Sequence, residues 1–245
     1  MSTRAVHVVV DSADPSSLAK FWAHALDWVV ADDEPGEVDV EPAGLHYPSA
    51  EVLPLVFVPV PEPKAGKNRL HLDLATTSAE HQAALADKLL SLGATHADVG
   101  QGDVPWVVLA DPEGNEFCVL EPRDWYQGTG PIAAVVVDTP DPQAAAAFWT
   151  LAAGWNPVTS EPQFASLRSP AGAGPFLEFM RSADPKTAKN RLHVDVAPAA
   201  DGDVRAEAAR LTEAGARPGD IGQGEVSWIV LADPQGNEFC VLSPR

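Results

Sequence analysis

Residues 99–123, VGQGDVPWVVLADPEGNEFCVLEPR, recur at 221–245 as IGQGEVSWIVLADPQGNEFCVLSPR, with nineteen of 25 positions identical. The same offset of 122 aligns Asn68-Arg69-Leu70-His71-Leu72-Asp73 with Asn190-Arg191-Leu192-His193-Val194-Asp195. Nearer the front the offset is 127, placing Val8-Val9-Val10-Asp11 and Phe21-Trp22 on Val135-Val136-Val137-Asp138 and Phe148-Trp149. The second copy is therefore five residues shorter between its first helix and its NRLH segment. A period near 120 residues, used twice, is a domain duplication rather than a solenoid. The chain reads as modules at 1–124 and 132–245, joined by a linker at 125–131 that contains Gly128 and Gly130.

Within each copy the pattern β-α-β-β-β is expected twice. Val6–Asp11 is an apolar, β-branched run, hence a buried strand. Asp14-Pro15 opens a helix, with Asp as cap and Pro at the first helical position. Leu18, Phe21, Trp22, Ala25 and Leu26 then form one apolar stripe, and Asp141-Pro142 with Ala145, Phe148, Trp149 and Ala152 repeats it. Short strands are expected at Val29–Val30, Val38–Val40, Val52–Pro59, Leu70–Ala75, Thr95–Val99, Trp106–Ala110 and Glu116–Glu121. A second helix starts at Ser78 and ends at Gly93. Asp111-Pro112-Glu113-Gly114-Asn115 has the composition of a tight hairpin turn.

Charge and composition exclude several functions. Acidic side chains number 35 and basic ones 16, a formal charge of −19, which repels phosphate backbones and anionic membrane surfaces. No apolar run approaches the roughly 18–20 residues of a membrane span. Met1-Ser2-Thr3-Arg4 leads directly into a strand and lacks a signal-peptide pattern. Two cysteines make no disulfide framework. The expectation is a cytoplasmic protein with a small-molecule partner, as a monomer or a homodimer.

Three segments in each copy, the strand–Asp-x-x-Asp-Pro–helix carrying Phe-Trp, the NRLH[LV]D strand and the DP[EQ]GNEF turn, resemble the vicinal oxygen chelate superfamily. That superfamily includes glyoxalase I, bleomycin-binding proteins, fosfomycin-resistance enzymes and extradiol dioxygenases. The resemblance spans nearly the whole chain and points most closely to its glyoxalase-like subgroup. It implies an α+β fold of tandem βαβββ motifs, forming two U-shaped mixed sheets with flanking helices. It also implies a metal or a small ligand on the concave side. In some members the two modules complete each other's sites; in others one module supplies all ligands.

Family metalloenzymes place a His on the first strand, a His on the fifth and a Glu on the eighth. The matching positions here are His7 and Ala134, then His71 and His193, then Cys118 and Cys240. If each module keeps its own site, His7, His71 and Cys118 meet. Under exchange, His7 meets His193 and Cys240, while Ala134 meets His71 and Cys118. Either way the family trio is broken, and no metal cofactor is expected. A cysteine at these positions is a small core residue, a zinc ligand or a reactive thiol. His71 and His193 either bond to Asp73 and Asp195 or contact a ligand. Trp106 and Trp228 are core residues or ligand platforms. Asn68-Arg69 and Asn190-Arg191 close strand ends or contact an anion. The loops Gly100-Gln101-Gly102 and Gly222-Gln223-Gly224 lie near the cavity mouth and lack the context of a phosphate loop. The function expected first is metal-independent small-molecule binding at His7, His71, Trp106, Cys118, His193, Trp228 and Cys240. The alternative is a metal-dependent lyase or isomerase of the glyoxalase type acting on a small oxygenated substrate.

Overall fold

The computed structural model describes residues 3–222 and 224–244. Its first half runs β1 (Arg4–Ser12), α1 (Pro15–Leu26), β2 (Val29–Glu34), β3 (Glu37–Glu41), β4 (Leu55–Pro59), β5 (Leu70–Leu74), α2 (Ala79–Ser91), β6 (Thr95–His96), β7 (Val107–Ala110) and β8 (Glu116–Val119). A single 3-10 turn, Asp124–Tyr126, leads to the second half. There follow β9 (Ile132–Thr139), α3 (Pro142–Ala153), β10 (Asn156–Ser160), β11 (Phe164–Arg168), β12 (Phe176–Arg181), β13 (Leu192–Ala197), α4 (Val204–Glu213), β14 (Arg217–Pro218), β15 (Ile229–Ala232) and β16 (Glu238–Val241). Among the described residues no helix is long and apolar enough to cross a membrane.

Local chemistry explains the helix ends. The Asp14 carboxylate accepts from Ser17 N at 3.1 Å, and Asp141 from Ala144 N at 3.0 Å, with Pro next in each case. The stripe Leu18, Phe21, Trp22, Ala25 and Leu26 is buried as its spacing predicts. Several strands are shorter than expected, β4 and β6 by three residues each. Val99 N turns to the Gln101 side chain at 2.8 Å and Gly100 N to Asp98 at 2.9 Å, so pairing in β6 ends at His96. Pro54 has no N–H to give a ladder, and β4 starts after it.

Two eight-stranded mixed sheets result, in the orders β14-β15-β16-β13-β1-β4-β3-β2 and β10-β11-β12-β9-β5-β8-β7-β6. Each takes four strands from each half of the chain, and β1–β13 and β5–β9 are the antiparallel seams. The halves are thus exchanged across the sheets, and on the helix side one apolar core takes residues from both. Trp22 of α1 packs edge-on against Phe117 of β8, with centroids 5.1 Å apart. Its indole N–H donates to Asp111 Oδ2 at 3.2 Å, while Asp111 Oδ1 accepts from Glu113 N and Asn115 N at 2.9 Å each. The hairpin turn and the helix are therefore locked by one buried carboxylate. Trp149, Phe239 and Asp233 repeat the arrangement.

The NRLH arginines are structural. Arg69 donates to the Asp138 carbonyl at 2.7 Å and the Asp184 carbonyl at 2.9 Å. Arg191 donates to Glu113 and to the Glu62 carbonyl, each at 3.0 Å. Both tie one half to the other, which leaves them no role at an anion site.

Candidate functional site

Because the halves exchange, each concave face is lined from both. In the first cup His7 on β1 lies opposite Asp195 on β13; in the second, Ala134 on β9 lies opposite Asp73 on β5. The set His7, His71 and Cys118 does not form. His7 joins His193 and Cys240, and His71 joins Cys118.

In the His7 cup these groups satisfy one another. His7 Nε2 donates to Asp195 Oδ2 at 3.0 Å, and His193 Nε2 lies 3.3 Å from Asp195 Oδ1. The same Oδ1 accepts from Cys240 N at 3.1 Å, and Cys240 Sγ lies 3.6 Å from His193 Nε2. All four residues are buried. Burial alone would raise the Asp195 carboxyl, but His193 and His7 overcome it and hold it well below the usual carboxylate range. Burial would likewise lower His193; the Asp195 charge raises it instead. Such a cluster is a buried, internally neutralised strut. Trp228 is 38% exposed and lies outside the apolar cluster around Cys240. Gln223, expected at this cup's mouth, lies outside the described residues.

Around Ala134 the floor differs, since a methyl group stands where the other cup has an imidazole. Here a cavity of about 690 Å³ opens, walled by Trp106, Phe164, Met180 and Val136 and reached by His71, Asp73 and Cys118. Gln101 also lines it. His71 Nε2 is 3.4 Å from Asp73 Oδ1. Burial pulls His71 down, and the Asp73 carboxylate outweighs it and raises the imidazole. The Cys118 thiol is pushed up by burial and by the Asp73 charge, and it packs with Val108, Leu120 and Ala133. It is a thiol in an apolar layer, not an activated nucleophile.

Two features of this cup were not expected. Glu178, 3% exposed on β12, faces the cavity. Burial pushes its carboxyl up to about 7; the Asp73 charge adds to this, and hydrogen bonds from Trp125 and Tyr126 oppose it. The sequence signal was a charged residue in the apolar strand Phe176-Leu177-Glu178-Phe179-Met180, whose first-half counterpart at this register is Val56. Second, the linker forms a wall. Trp125 stacks on Phe176 at 5.4 Å and 19°, and Tyr126 meets the same ring edge-on at 5.8 Å. Trp106 carries the Arg123 guanidinium 5.6 Å above its ring, which makes it a cavity wall rather than core.

The superfamily's trio for a hard divalent ion does not fit either cup, because Ala134 replaces a histidine in one and a cysteine replaces the glutamate in both. In the Glu178 cup, however, one donor atom each of His71, Asp73 and Cys118 lie within 4.8 Å of one another, and Asp73 Oδ1 is buried without a hydrogen bond. Nitrogen, oxygen and sulfur donors at this spacing fit a thiophilic ion such as zinc. His193, Asp195 and Cys240 in the His7 cup lie equally close, but there both Asp195 oxygens already accept hydrogen bonds, from His7 and from Cys240 N.

A family model described as a glyoxalase-like domain matches residues 7–120 and again residues 134–242. Glyoxalase I from Zea mays superposes with a TM-score of 0.66 at 17% identity, covering 99% of this chain and 92% of that one. A candidate dioxygenase from Bacillus subtilis subsp. subtilis str. 168 does so with a TM-score of 0.60 at 13% identity, covering 99% and 85%. At these identities the likeness is one of fold. No curated protein matches the chain. With two matches that together span most of its length, the chain belongs to the glyoxalase-like domain family of the vicinal oxygen chelate superfamily, as two tandem copies.

Proposed function

We propose that this protein binds a small organic molecule in the Glu178 cup and does so without a metal ion. The observation that carries the reading is the asymmetry of two cups built on one scaffold. One floor is occupied by the His7–Asp195–His193 bridge; the other holds a cavity of about 690 Å³ with aromatic and aliphatic walls. That size and lining suit a drug-sized ligand. A thermal-shift screen of aromatic and polycyclic compounds tests it, with Trp106→Ala and Trp228→Ala as paired variants. Ligands that stabilise the wild type and the Trp228 variant but not the Trp106 variant support the reading. Equal losses in both variants place the ligand elsewhere and end it.

A second reading has its own observation, the close set of His71, Asp73 and Cys118 with an unbonded Asp73 oxygen. These three residues would hold zinc, which when bound acts as a Lewis acid on substrate oxygens, as a glyoxalase-type lyase or isomerase requires. Elemental analysis of protein purified without chelator, and again after zinc reconstitution, decides this reading. Zinc far below one per chain in both samples removes it.

A further inference from the structure

We propose that the Glu178 cup selects organic cations, in which a protonated amine is carried on a flat apolar body. This rests on the reading of that cup as a small-molecule site. Two carboxylates face the cavity from strands on either side of β9, Glu178 on β12 and Asp73 on β5. The register sets Glu178 and His71 opposite the same residue, Val136, with Asp73 two residues further along β5, opposite Ala134. Glu178 is 3% exposed and Asp73 8%.

Neither carboxylate has an ion pair with Lys or Arg among the described residues. Glu178 accepts only from neutral donors, Tyr126 Oη at 3.2 and 3.3 Å and Trp125 Nε1 at 3.4 Å. Asp73 Oδ1 is buried with no hydrogen bond, and its one ionic neighbour is His71. Three cations line the cavity, and none is bonded to Glu178 or Asp73. Lys67 is bonded to Asp138 at 2.6 Å, Arg123 to Glu121 at 2.6 Å, and Arg181 is exposed. Two buried carboxylates share this cup with neither Lys nor Arg bonded to them and only His71 beside Asp73, an arrangement that is costly to maintain unless a further cation enters. Burial first and the Asp73 charge second push the Glu178 carboxyl up to about 7.

The walls define the rest of the ligand. Trp106, Tyr126 and Phe164 offer ring faces and edges, and ring faces attract cations as well as flat hydrocarbon. A metal ion alone would leave these walls uncovered, and Glu178 does not belong to the tight donor group of His71, Asp73 and Cys118. The His7 cup provides an internal control. There Val56 stands at the Glu178 position, the carboxylate at the Asp73 position, Asp195, is already bridged by two histidines, and the further carboxylate near His7, Asp39 on β3, is only half-buried.

Isothermal calorimetry at pH 8 on chelator-treated protein tests this with three matched probes: naphthylmethylamine, naphthylmethanol and naphthoate. The amine is expected to bind at least roughly tenfold tighter than the alcohol, as a charge-assisted hydrogen bond gives, with the carboxylate weakest. Glu178→Gln should erase the amine's advantage over the alcohol, with Asp73→Asn as a second variant should the first fail to fold. If alcohol and amine bind equally and Trp106→Ala weakens both, the cation proposal fails while the small-molecule reading stands. If none of the three binds, both fail.

Discussion

Replacing Glu178 with glutamine isolates what the buried carboxylate does to stability. Its carboxyl moves from 4.5 when exposed to about 7 in the fold. A raised acid is held in its neutral form by the folded state, so the penalty is absent below about pH 4.5. It grows as pH rises and is complete above about 7. A displacement of that size corresponds to about 3 kcal/mol, and at 3% exposure solvent screens little of it. Glutamine mimics the neutral acid at every pH. Urea unfolding of both proteins at pH 5 and pH 8 is the assay. The wild type should lose about 2.5 kcal/mol relative to the variant between the two, since part of the penalty is already present at pH 5, with other titrating groups cancelling in the difference. Parallel pH profiles would refute the reasoning, because they would mean that Glu178 is neutralised within the fold. The same penalty is what a bound ammonium group would relieve, so an amine ligand should raise the wild-type melting temperature more at pH 8 than at pH 5.

Three other outcomes follow from the geometry. His7→Ala removes one of the two imidazoles on the buried Asp195 and should destabilise the protein by about 3 kcal/mol, measured by chemical denaturation, with Asp195→Asn restoring part of it in the double variant. Both thiols are buried and pushed above their ordinary range, Cys118 and Cys240 alike; a thiol reagent should label neither in the native protein and both in guanidinium, and rapid native labelling of Cys118 would mean a thiolate is present. Gly174 sits at φ +79°, where a Cβ would strike the Glu51 backbone; Gly174→Ala should cost about 3 kcal/mol by thermal melting, while Gly172→Ala, at φ +68° with nothing nearby, should cost about 1 kcal/mol.

Features that depend on neighbouring residues in the chain were legible in the sequence. The Asp-Pro caps, the Phe-Trp stripes and the Asp-Pro-x-Gly-Asn turns appear where their chemistry demands, and the turn's buried Asp111 shows why the motif travels with Trp22. The pairing of halves was not legible. Leu70–Leu74 and Leu192–Ala197 present nearly the same alternation to β1, so no local signal chooses between them; the complete packing does. The structure brings His71 and Cys118 together, as exchange of the halves implies, and places Glu178 and the linker aromatics in the same cup. Glu178 was visible as a charge in an apolar strand. Trp125 and Tyr126 lie outside the repeated segments, and the neighbouring Gly128 and Gly130 pointed to a connector alone.

The exchanged sheets carry a consequence for how such a chain changes over generations. Were two identical half-chains to assemble in this way, every replacement would strike both recesses at once, and neither could specialise without altering its twin. Joining the halves covalently breaks that constraint. An alanine in place of one imidazole, and a glutamate in place of one valine, then alter a single recess, leaving the other free to serve as the brace that keeps the molecule together.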